Sequence, residues 1–472
     1  MHFKTIFRSF KNKDMLKRIL IVLAIIVIYR IMAHIPVPLG DSATFKEAVQ
    51  NLLSKSDFGS FINLISGGGL AELSIILVGL SPYITSSIVV QLLTKAIPSL
   101  EELSRDGESG RRKINQWTRI LSVPLAIIQS VAWIFILYQS YVATNTAVAV
   151  DPSMADWMLS VTAMTASSVM LMWLGELITE QGIGNGISTL IFASIISQMP
   201  STVAMVSDAL FDTTSGSLSL FGWFELPVNP TVFFILLGFA IAMIAVIYFL
   251  VKLNEAQRII TINYAKRVHG NSSYGGIKSI LPIKLIAAGV IPVIFATAFL
   301  ALPALVGQII VSVDPSNSFG NTLITLFTAP SSSNFSTQYP DGITAQWFLY
   351  PALYFILVVM FTYFYTSIIY NTNEIADNLQ KQGGFVEGVR PGATTATYLS
   401  KIITRLNFFG AFALGLVAML PFITDYIFIV TMGAPIGLSL SGTGLLIVVT
   451  VALENLRQLD SRALMITYDD YQ

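Results

Sequence analysis

Ten apolar segments, each long enough to cross a bilayer as a helix, constrain this sequence of 472 residues more than any other feature. A transmembrane helix needs about 20 apolar residues. Hydrophobic residues make up 54% of the chain and charged residues only 11%, whereas soluble domains carry about 25% charged residues. The sequence therefore predicts an all-α, polytopic membrane protein. Its ten spans lie near residues 17–36, 75–95, 117–141, 157–178, 185–206, 230–252, 285–310, 347–370, 404–424 and 429–453.

The N-terminus resembles a signal peptide at first sight, because basic residues precede the apolar run Ile19–Tyr29. A cleaved signal peptide ends in a small-x-small site. No convincing site of this kind follows, since the chain continues Arg30-Ile-Met-Ala-His-Ile-Pro36. We interpret the segment as a retained first membrane helix.

Nearly all lysines and arginines fall on one face of the predicted topology. They occupy the two tails and the connections at 95–119, 252–284 and 371–405. The exceptions are Arg30, Lys46 and Lys55. Loops rich in lysine and arginine remain in the cytoplasm, so both termini are expected there. An even number of spans places both termini on the same side of the membrane, which agrees with this expectation.

The spans divide into two halves of five, with the boundary near residue 220. Because five is odd, the second half would have the opposite orientation, as in an inverted repeat. We therefore expect an N-terminal half at 1–220 and a C-terminal half at 221–472. The external connections at 207–229 and 311–346 contain no lysine or arginine and are predicted to be surface loops.

The segment from Phe61 to Leu73 is apolar but too short to cross a bilayer. Three glycines, Gly67 to Gly69, allow a bend, and a second segment long enough to span follows at 75–94. A half-inserted helix is tolerated only where protein or a water-filled cavity covers its backbone. This stretch therefore predicts a cavity in the membrane.

Residues for catalysis or ion coupling are scarce in the predicted spans. The chain has no cysteine and three histidines, and ionisable residues inside a membrane usually mark a functional site. Glu176 and Glu180 lie at a cytoplasmic helix end, and Arg30 is predicted to reach an interface or to cap a carbonyl group. We expect no enzyme activity, cofactor or metal, and a proton-coupled carrier is disfavoured.

Two glycine-rich strings resemble nucleotide-binding motifs but fail the tests for them. In Gly107-Glu-Ser-Gly-Arg-Arg-Lys113 the glycine-to-lysine spacing and the residue after the lysine do not fit a phosphate-binding loop. Gly182-Ile-Gly-Asn-Gly186 follows a membrane helix, whereas the dinucleotide motif follows a strand. Both strings are predicted to form cytoplasmic turns.

A series of short motifs, in a specific order, covers nearly the whole chain. Through this series the chain closely resembles the SecY family, the central subunits of the bacterial protein-conducting channel. The motifs are Ser66-Gly-Gly-Gly69, Leu80-Ser-Pro-Tyr-Ile84, Gly107-Glu-Ser-Gly-Arg-Arg-Lys113, Trp173-Leu-Gly-Glu176, Gly182-Ile-Gly-Asn-Gly-Ile-Ser188, Asn263-Tyr-Ala-Lys-Arg267, Gly289-Val-Ile-Pro292, Gly388-Val-Arg-Pro-Gly392 and Leu445-Leu-Ile-Val448.

The resemblance implies an hourglass channel with an apolar constriction, closed by a plug at about 61–73. Leu80 and Ile84 are four residues apart, so on a helix they share one face, as a ring requires. By motif position, the pore ring would consist of Leu80, Ile84, Ile191, Ile294 and Ile447. The plug would contain Phe61, Ile62, Leu64, Ile65, Gly67, Gly68, Gly69 and Leu70.

The resemblance also implies a lateral gate between spans 2 and 3 on one side and spans 7 and 8 on the other. Gln91 and Thr94 would lie at this seam. At the start of span 7 the family usually has Lys-(Val/Leu)-Asn, whereas this chain has Lys284-Leu-Ile286. A hydrogen bond from that asparagine cannot form here, so the balance between closed and open gate is expected to differ.

The cytoplasmic connections at about 252–284 and 371–405 are expected to form a docking face for the SecA motor or the ribosome. Arg390 is the main candidate, because the following proline disfavours helix and keeps the arginine in an exposed turn. The secondary candidates are Arg258, Lys266 and Arg267. In the family this loop tip is commonly basic, whereas here it reads His269-Gly-Asn-Ser-Ser-Tyr274. Its electrostatic attraction to ribosomal RNA should therefore be weaker.

The resemblance thus implies a channel that moves unfolded, signal-bearing polypeptides across the bacterial cytoplasmic membrane and releases membrane helices sideways into lipid. Energy would come from SecA or the ribosome, and the expected membrane partners are SecE, SecG and a YidC-type insertase. The alternative function is a secondary transporter of small solutes. A scaffold that only assists membrane insertion has the same composition.

Overall fold

The computed structural model describes most of the chain. The described residues are 13–38, 69–70, 72–144, 153–211, 218–220, 224–226, 230–264, 267–269, 272–274, 278–286, 288–314, 316–328, 348–432 and 439–469. Most of these residues are helical, so the predicted helical fold is confirmed.

Ten of the helices in the described part of the chain have 16 or more residues, and one of them lies on each predicted span. They are α1 (Lys13–Ala33), α2 (Ser81–Ala96), α4 (Gly107–Thr144), α5 (Met154–Gln181), α6 (Gly186–Phe211), α7 (Pro230–Glu255), α8 (Ile291–Val313), α10 (Leu349–Ile369), α12 (Ala393–Met432) and α13 (Ser439–Asp469). Three shorter helices are α3 (Pro98–Arg105), α9 (Ser318–Phe327) and α11 (Thr372–Lys381).

Five stretches within the described residues are long and apolar enough to cross a membrane by length and composition. They are Gly107–Gln139, Met154–Gln181, Ile291–Val313, Leu349–Lys381 and Ala393–Leu420. A shorter apolar helix covers Gly186–Pro200. The count of ten spans stays a prediction, although it agrees with the helix positions.

The second predicted span is wrong at its N-terminal end. Residues 75–80 form turns, and α2 begins only at Ser81. Gly79 has a φ of 57° and Leu73 a φ of 50°, both in the left-handed region. Pro82 then occupies the first turn of α2, where its fixed φ fits a helix and its missing N–H costs nothing. The sequence predicted a bend at Gly67–Gly69 only, but the non-helical backbone continues as far as Leu80.

The prediction of a turn at Gly107–Lys113 is also wrong, because these residues form the first turns of α4. Gly107 has a φ of 69°, and Arg112 forms an ion pair with Glu108, 2.7 Å between Nη2 and Oε1. This i, i+4 pair supports the exposed helix end. The other glycine string, from Gly182, forms the predicted turn between α5 and α6.

The connections at 207–229 and 311–346, which were predicted to be external loops, contain regular structure. Strands β1 (Leu218–Leu220) and β2 (Phe224–Leu226) form a hairpin in the first, and α9 lies in the second. Asn317 caps α9 by accepting hydrogen bonds from two backbone N–H groups. Before it, hydrogen bonds from the Ser316 hydroxyl and N–H hold the pKa of the Asp314 carboxyl below its ordinary value.

The connections at 252–284 and 371–405, which were predicted to be cytoplasmic, form a sheet, which an all-α prediction does not include. Strand β3 (Gln257–Tyr264) lies between β6 (Lys278–Lys284) and β7 (Gly384–Val386), and both pairings are antiparallel. A second hairpin joins β4 (Arg267–His269) to β5 (Ser272–Tyr274). Strand β3 thus brings the two predicted docking connections together.

The chain forms two compact units. The first contains Met1–Ala242, Thr297–Tyr350 and Pro421–Gln472, and the second contains Met243–Ala296 and Pro351–Leu420. The predicted boundary near residue 220 stays a prediction.

Candidate functional site

The non-helical residues at 69–70 and 72–80 are hydrogen-bonded to the chain at and after the end of α1. The Val37 N–H donates to the Leu73 carbonyl at 2.7 Å, and the Ile75 N–H donates to the Ile35 carbonyl at 2.9 Å. The Ser74 hydroxyl donates to the Met32 carbonyl at 2.8 Å. The first part of this segment is therefore attached to the C-terminal end of α1.

Three serines on one helix supply further donors to this region. Ser160, Ser167 and Ser168 lie on α5 and are buried, and their spacing of seven and eight residues places them on one face. Their hydroxyls donate to the carbonyls of Pro38, Ile75 and Gly79, respectively. Unpaired carbonyls are costly inside a membrane, so these serines allow the backbone to remain non-helical there. We call Ser160, Ser167 and Ser168 the serine row.

Apolar packing fixes the same segment. Leu70 and Leu73 are buried in a cluster with Val37, Leu137 and Met164. Of the named plug residues, Gly69 and Leu70 lie within the described residues, and so do Glu72 and Leu73 at the end of the predicted plug segment 61–73. The other predicted plug residues lie outside them: Phe61, Ile62, Leu64, Ile65, Gly67 and Gly68. The described end of the predicted plug is thus part of the buried core.

The five predicted ring residues are all buried. Leu80, Ile84, Ile191, Ile294 and Ile447 are 5, 6, 2, 8 and 8% exposed, respectively. Leu80 and Ile84 lie one turn apart at the start of α2, where the Ile84 N–H donates to the Leu80 carbonyl.

Two further ring residues lie on neighbouring helices, since Ile191 belongs to α6 and Ile447 to α13, and these helices pack against each other. Ile294 belongs to the second unit. A ring made of all five residues stays a prediction.

The predicted gate residues on α2 form hydrogen bonds along their own helix. Gln91 Nε2 donates to Ser87 Oγ at 2.9 Å, and Thr94 Oγ1 donates to the Val90 carbonyl at 2.8 Å. Gln91 Oε1 is buried and has no hydrogen-bond partner among the described residues. Ile286 is buried in the second unit. The Gln91 amide and the Thr94 hydroxyl therefore donate to acceptors on α2 itself, not to a helix on the other side of the predicted gate. The lateral gate stays a prediction.

Two charged residues near the ends of the first and fourth predicted spans, Arg30 and Glu176, have specific partners. Arg30 was expected to reach the membrane interface or to cap a carbonyl group. Its Nη1 donates a hydrogen bond to Ser197 Oγ on α6 at 2.9 Å. Glu176 pairs with Arg119, with 2.7 Å between Oε1 and Nε. Among the described residues, no group of three or more histidine, aspartate or glutamate side chains could hold a metal ion.

The sheet of β3, β6 and β7 has its own apolar core in the second unit. Ile260, Ile283 and Val386 come from the strands, and Leu399 and Ile403 come from α12. Arg258 lies on β3 and is exposed. Arg267 belongs to β4, and Lys266 lies outside the described residues.

Arg390 lies in a turn whose backbone is fixed on both sides. The Val389 N–H donates to the Val386 carbonyl at 3.0 Å, and Thr395 Oγ1 donates to the Arg390 carbonyl at 2.8 Å. Gly388 and Gly392 have φ angles of 78° and 96°, which glycine adopts without strain. The Arg390 side chain is exposed, and within the described residues it makes no ion pair. The turn therefore presents this cation to the solvent, as the sequence predicted.

The sequence reasoning missed the serine row. The available signal was its spacing, since three small polar residues recur on one face of an otherwise apolar span. Polar residues between membrane helices commonly form hydrogen bonds across the helix interface. What the sequence did not reveal is that their acceptors are carbonyls of a non-helical segment.

A family model described as SecY matches residues 74–456. The chain belongs to the SecY family. The protein translocase subunit SecY of Streptomyces scabiei is 37% identical over 469 residues, covering 98% of each chain.

Two solved structures have similar folds. The one described as the structure of a protein conducting channel has a TM-score of 0.64 and 20% identity, covering 93% of this chain and 90% of that chain. Sec61 in the canine ribosome-channel complex from the endoplasmic reticulum has a TM-score of 0.60 and 19% identity, with the same coverage.

The serine row gives a first test. Replacement Ser168→Ala leaves the Gly79 carbonyl without its donor, so we expect the free energy of unfolding to fall by about 1 kcal/mol. Denaturant unfolding of the purified protein in detergent measures this change. Thr162→Ala is the matched control on the same helix, because Thr162 is exposed and its hydroxyl bonds only to carbonyls of its own helix. Equal stability of the two variants would contradict the role of Ser168.

Proposed function

We propose that this chain forms the pore of a protein translocase and conducts unfolded polypeptides across a membrane. The observation that carries the proposal is the non-helical stretch at 72–80, most of which is buried and which leads directly into Leu80 and Ile84 at the start of α2. Irregular backbone at membrane depth occurs where protein or a cavity covers it. Membership of the SecY family supports the same function. The small-solute transporter finds no support among these relatives.

The proposed constriction acts by excluding water. A narrow apolar ring of Leu80, Ile84, Ile191, Ile294 and Ile447 would be poorly wetted, and hydrophobic constrictions close pores to ions in this way. Branched aliphatic side chains can contact many different polypeptide segments without a specific bond. The ring therefore suits a cargo whose sequence varies.

The proposed plug would be the second seal. Near its C-terminal end the Leu70 side chain is completely buried, and the following backbone is held by the serine row. Any displacement of the plug would therefore occur on the N-terminal side of Gly69, while the segment leading to α2 remains in place.

A lateral gate with Gln91, Thr94 and Ile286 is proposed from the family resemblance. An apolar segment of about 20 residues is more stable in hydrocarbon than in an aqueous channel, so it would leave through such a gate. Ile286 offers no hydrogen bond, so Gln91 would need another partner to stabilise the closed state.

The cytoplasmic sheet and the Arg390 turn are the proposed docking face. Both termini would lie in the cytoplasm of a bacterial cell, as the basic loops indicate. The proposed energy sources are SecA or a translating ribosome, and the chain itself would hydrolyse nothing. SecE, SecG and a YidC-type insertase are the proposed membrane partners.

The ring is tested by making one member polar. Replacement Ile191→Ser should raise the ion conductance of the resting channel several-fold, because a hydroxyl group favours wetting of the constriction. The measurement uses the purified complex in planar bilayers. Ile196→Ser is the control, since Ile196 is on the same helix but 39% exposed. Conductance that stays at the parental level for Ile191→Ser would count against the ring.

The plug is tested by a deletion that leaves the fixed segment intact. Removing residues 61–68 keeps Gly69 and Leu70 with their hydrogen bonds and packing. We expect higher resting ion conductance and unchanged thermal stability. A deletion variant that conducts no more than the parent would refute the plug assignment.

The docking face is tested by charge reversal. Replacement Arg390→Glu should strongly reduce SecA-driven export into vesicles, because the docked partner would meet the opposite charge. The fold should remain intact, since the side chain is exposed. Lys381→Glu is the control, because Lys381 is another exposed cation at the end of α11. Normal export by the Arg390 variant would exclude this docking role.

A further inference from the structure

The turn between α5 and α6 is unusually constrained. Gly182 and Gly184 have φ angles of 71° and 80°, a conformation that other residues adopt only at a cost. The Gly186 N–H donates to Thr179 Oγ1 at 2.9 Å. A Cβ at Gly186 would overlap the Gly175 carbonyl. The first turn of α6 is therefore held tightly against the end of α5.

Helix α13 contacts this turn and the start of α6 through three polar side chains. Gln458 Oε1 accepts a hydrogen bond from the Gly184 N–H at 2.8 Å, and Asn455 Nδ2 donates to Thr189 Oγ1 at 3.3 Å. The Arg462 guanidinium lies so close to Gly182 that a Cβ there would overlap it. We call Asn455, Gln458 and Arg462 the α13 clamp.

The clamp residues recur at intervals of three and four, so they lie on one face of α13. The turn also has a contact from α1, because Arg18 Nη1 donates to the Gln181 carbonyl at 3.0 Å. The sequence alone did not reveal these contacts, since the partners are more than 160 residues apart.

Two proposed ring residues lie on the helices that the clamp joins. Ile191 follows Gly186 by five residues on α6, and Ile447 precedes Gln458 by eleven residues on α13. Eleven residues are about three helical turns, so Ile447 and Gln458 share a face of α13. A shift of α13 along α6 would move Ile447 relative to Ile191.

We propose that Asn455, Gln458 and Arg462 are positioning residues that fix α13 against α6 and thereby hold Ile447 in place relative to Ile191. This inference rests on the proposed pore function and extends it to residues outside the ring. Apolar packing alone sets the register of two membrane helices weakly, because lipid is as apolar as the side chains. Directional hydrogen bonds at the helix end supply the missing specificity.

The test compares two replacements of Gln458. Gln458→Met has a similar length but no strong acceptor, so the Gly184 N–H loses its partner. Gln458→Glu keeps an acceptor oxygen beside Arg462 and should restore the parental behaviour. Ser461→Ala is a control on the same helix, because Ser461 is exposed and its hydroxyl bonds to a carbonyl of α13.

Two readouts are needed. The first is the resting ion conductance of the purified complex in planar bilayers. Gln458→Met should raise this conductance by about two- to tenfold, because the loss of one hydrogen bond changes an equilibrium by about this factor. The second is the rate of disulfide formation between cysteines introduced at Thr189 and Asn455. The chain has no cysteine of its own. The two introduced cysteines remove the Asn455–Thr189 bond in every background compared, so differences in the rate report the effect of residue 458 on the contact between α6 and α13. The rate should fall in the Gln458→Met background and not in the Gln458→Glu background.

Three results would overturn the inference. Parental conductance of Gln458→Met, in an assay where Ile191→Ser leaks, would show that the clamp does not position the ring. Equal leakage of Gln458→Met and Gln458→Glu would exclude a role for the acceptor oxygen. If Ile191→Ser itself does not leak, the proposed ring fails and the inference fails with it. The disulfide rate distinguishes this last case, because it reports the clamp independently of the pore.

Discussion

A backbone carbonyl buried in a membrane needs a hydrogen-bond donor, and the first unit depends on how this requirement is met between Gly69 and Leu80. A helix satisfies its carbonyls internally, but residues 75–80 form turns. The Ser167 and Ser168 hydroxyls supply donors from α5, and backbone groups after α1 supply others. Because these bonds hold the segment, α2 can begin as late as Ser81, with Leu80 at its N-cap and Ile84 one turn later.

Hydrogen bonds from polar side chains also fix the positions of other helices of the proposed pore. The α13 clamp joins α13 to the turn before α6 by bonds from Gln458 and Asn455. In the second unit, strand pairing performs this role, since β3 bonds to both β6 and β7. In each case a few directional bonds fix elements whose apolar surfaces alone would allow several arrangements.

The sequence predicted the helical membrane fold and the positions of its helices because hydrophobic length and charge distribution are local properties. It also predicted the exposed turn at Arg390, since Pro391 restricts the preceding residue. It failed at Gly107–Lys113, where charged residues form the start of a helix instead of a turn. The pairing of β3 with β7 was missed because the two strands are more than 100 residues apart in the sequence.

The candidate site was predicted less completely. The ring and plug residues came from family resemblance, because an isolated isoleucine in an apolar span carries no functional signal of its own. The serine row and the α13 clamp depend on contacts between distant segments, such as Gly184 with Gln458. No local pattern identifies the acceptor of a serine or glutamine side chain, so these residues required the structure.

The central claim is that buried aliphatic residues surround a translocating polypeptide. Site-specific crosslinking tests it most directly, with a secretory chain stalled in the complex and a thiol-linked photoprobe at Ile191→Cys or Ile447→Cys. The absence of native cysteines makes each probe unique. We expect crosslinks from both positions and none from the exposed control Ile196→Cys. Crosslinks from Ile196→Cys but not from the two ring positions would contradict the account.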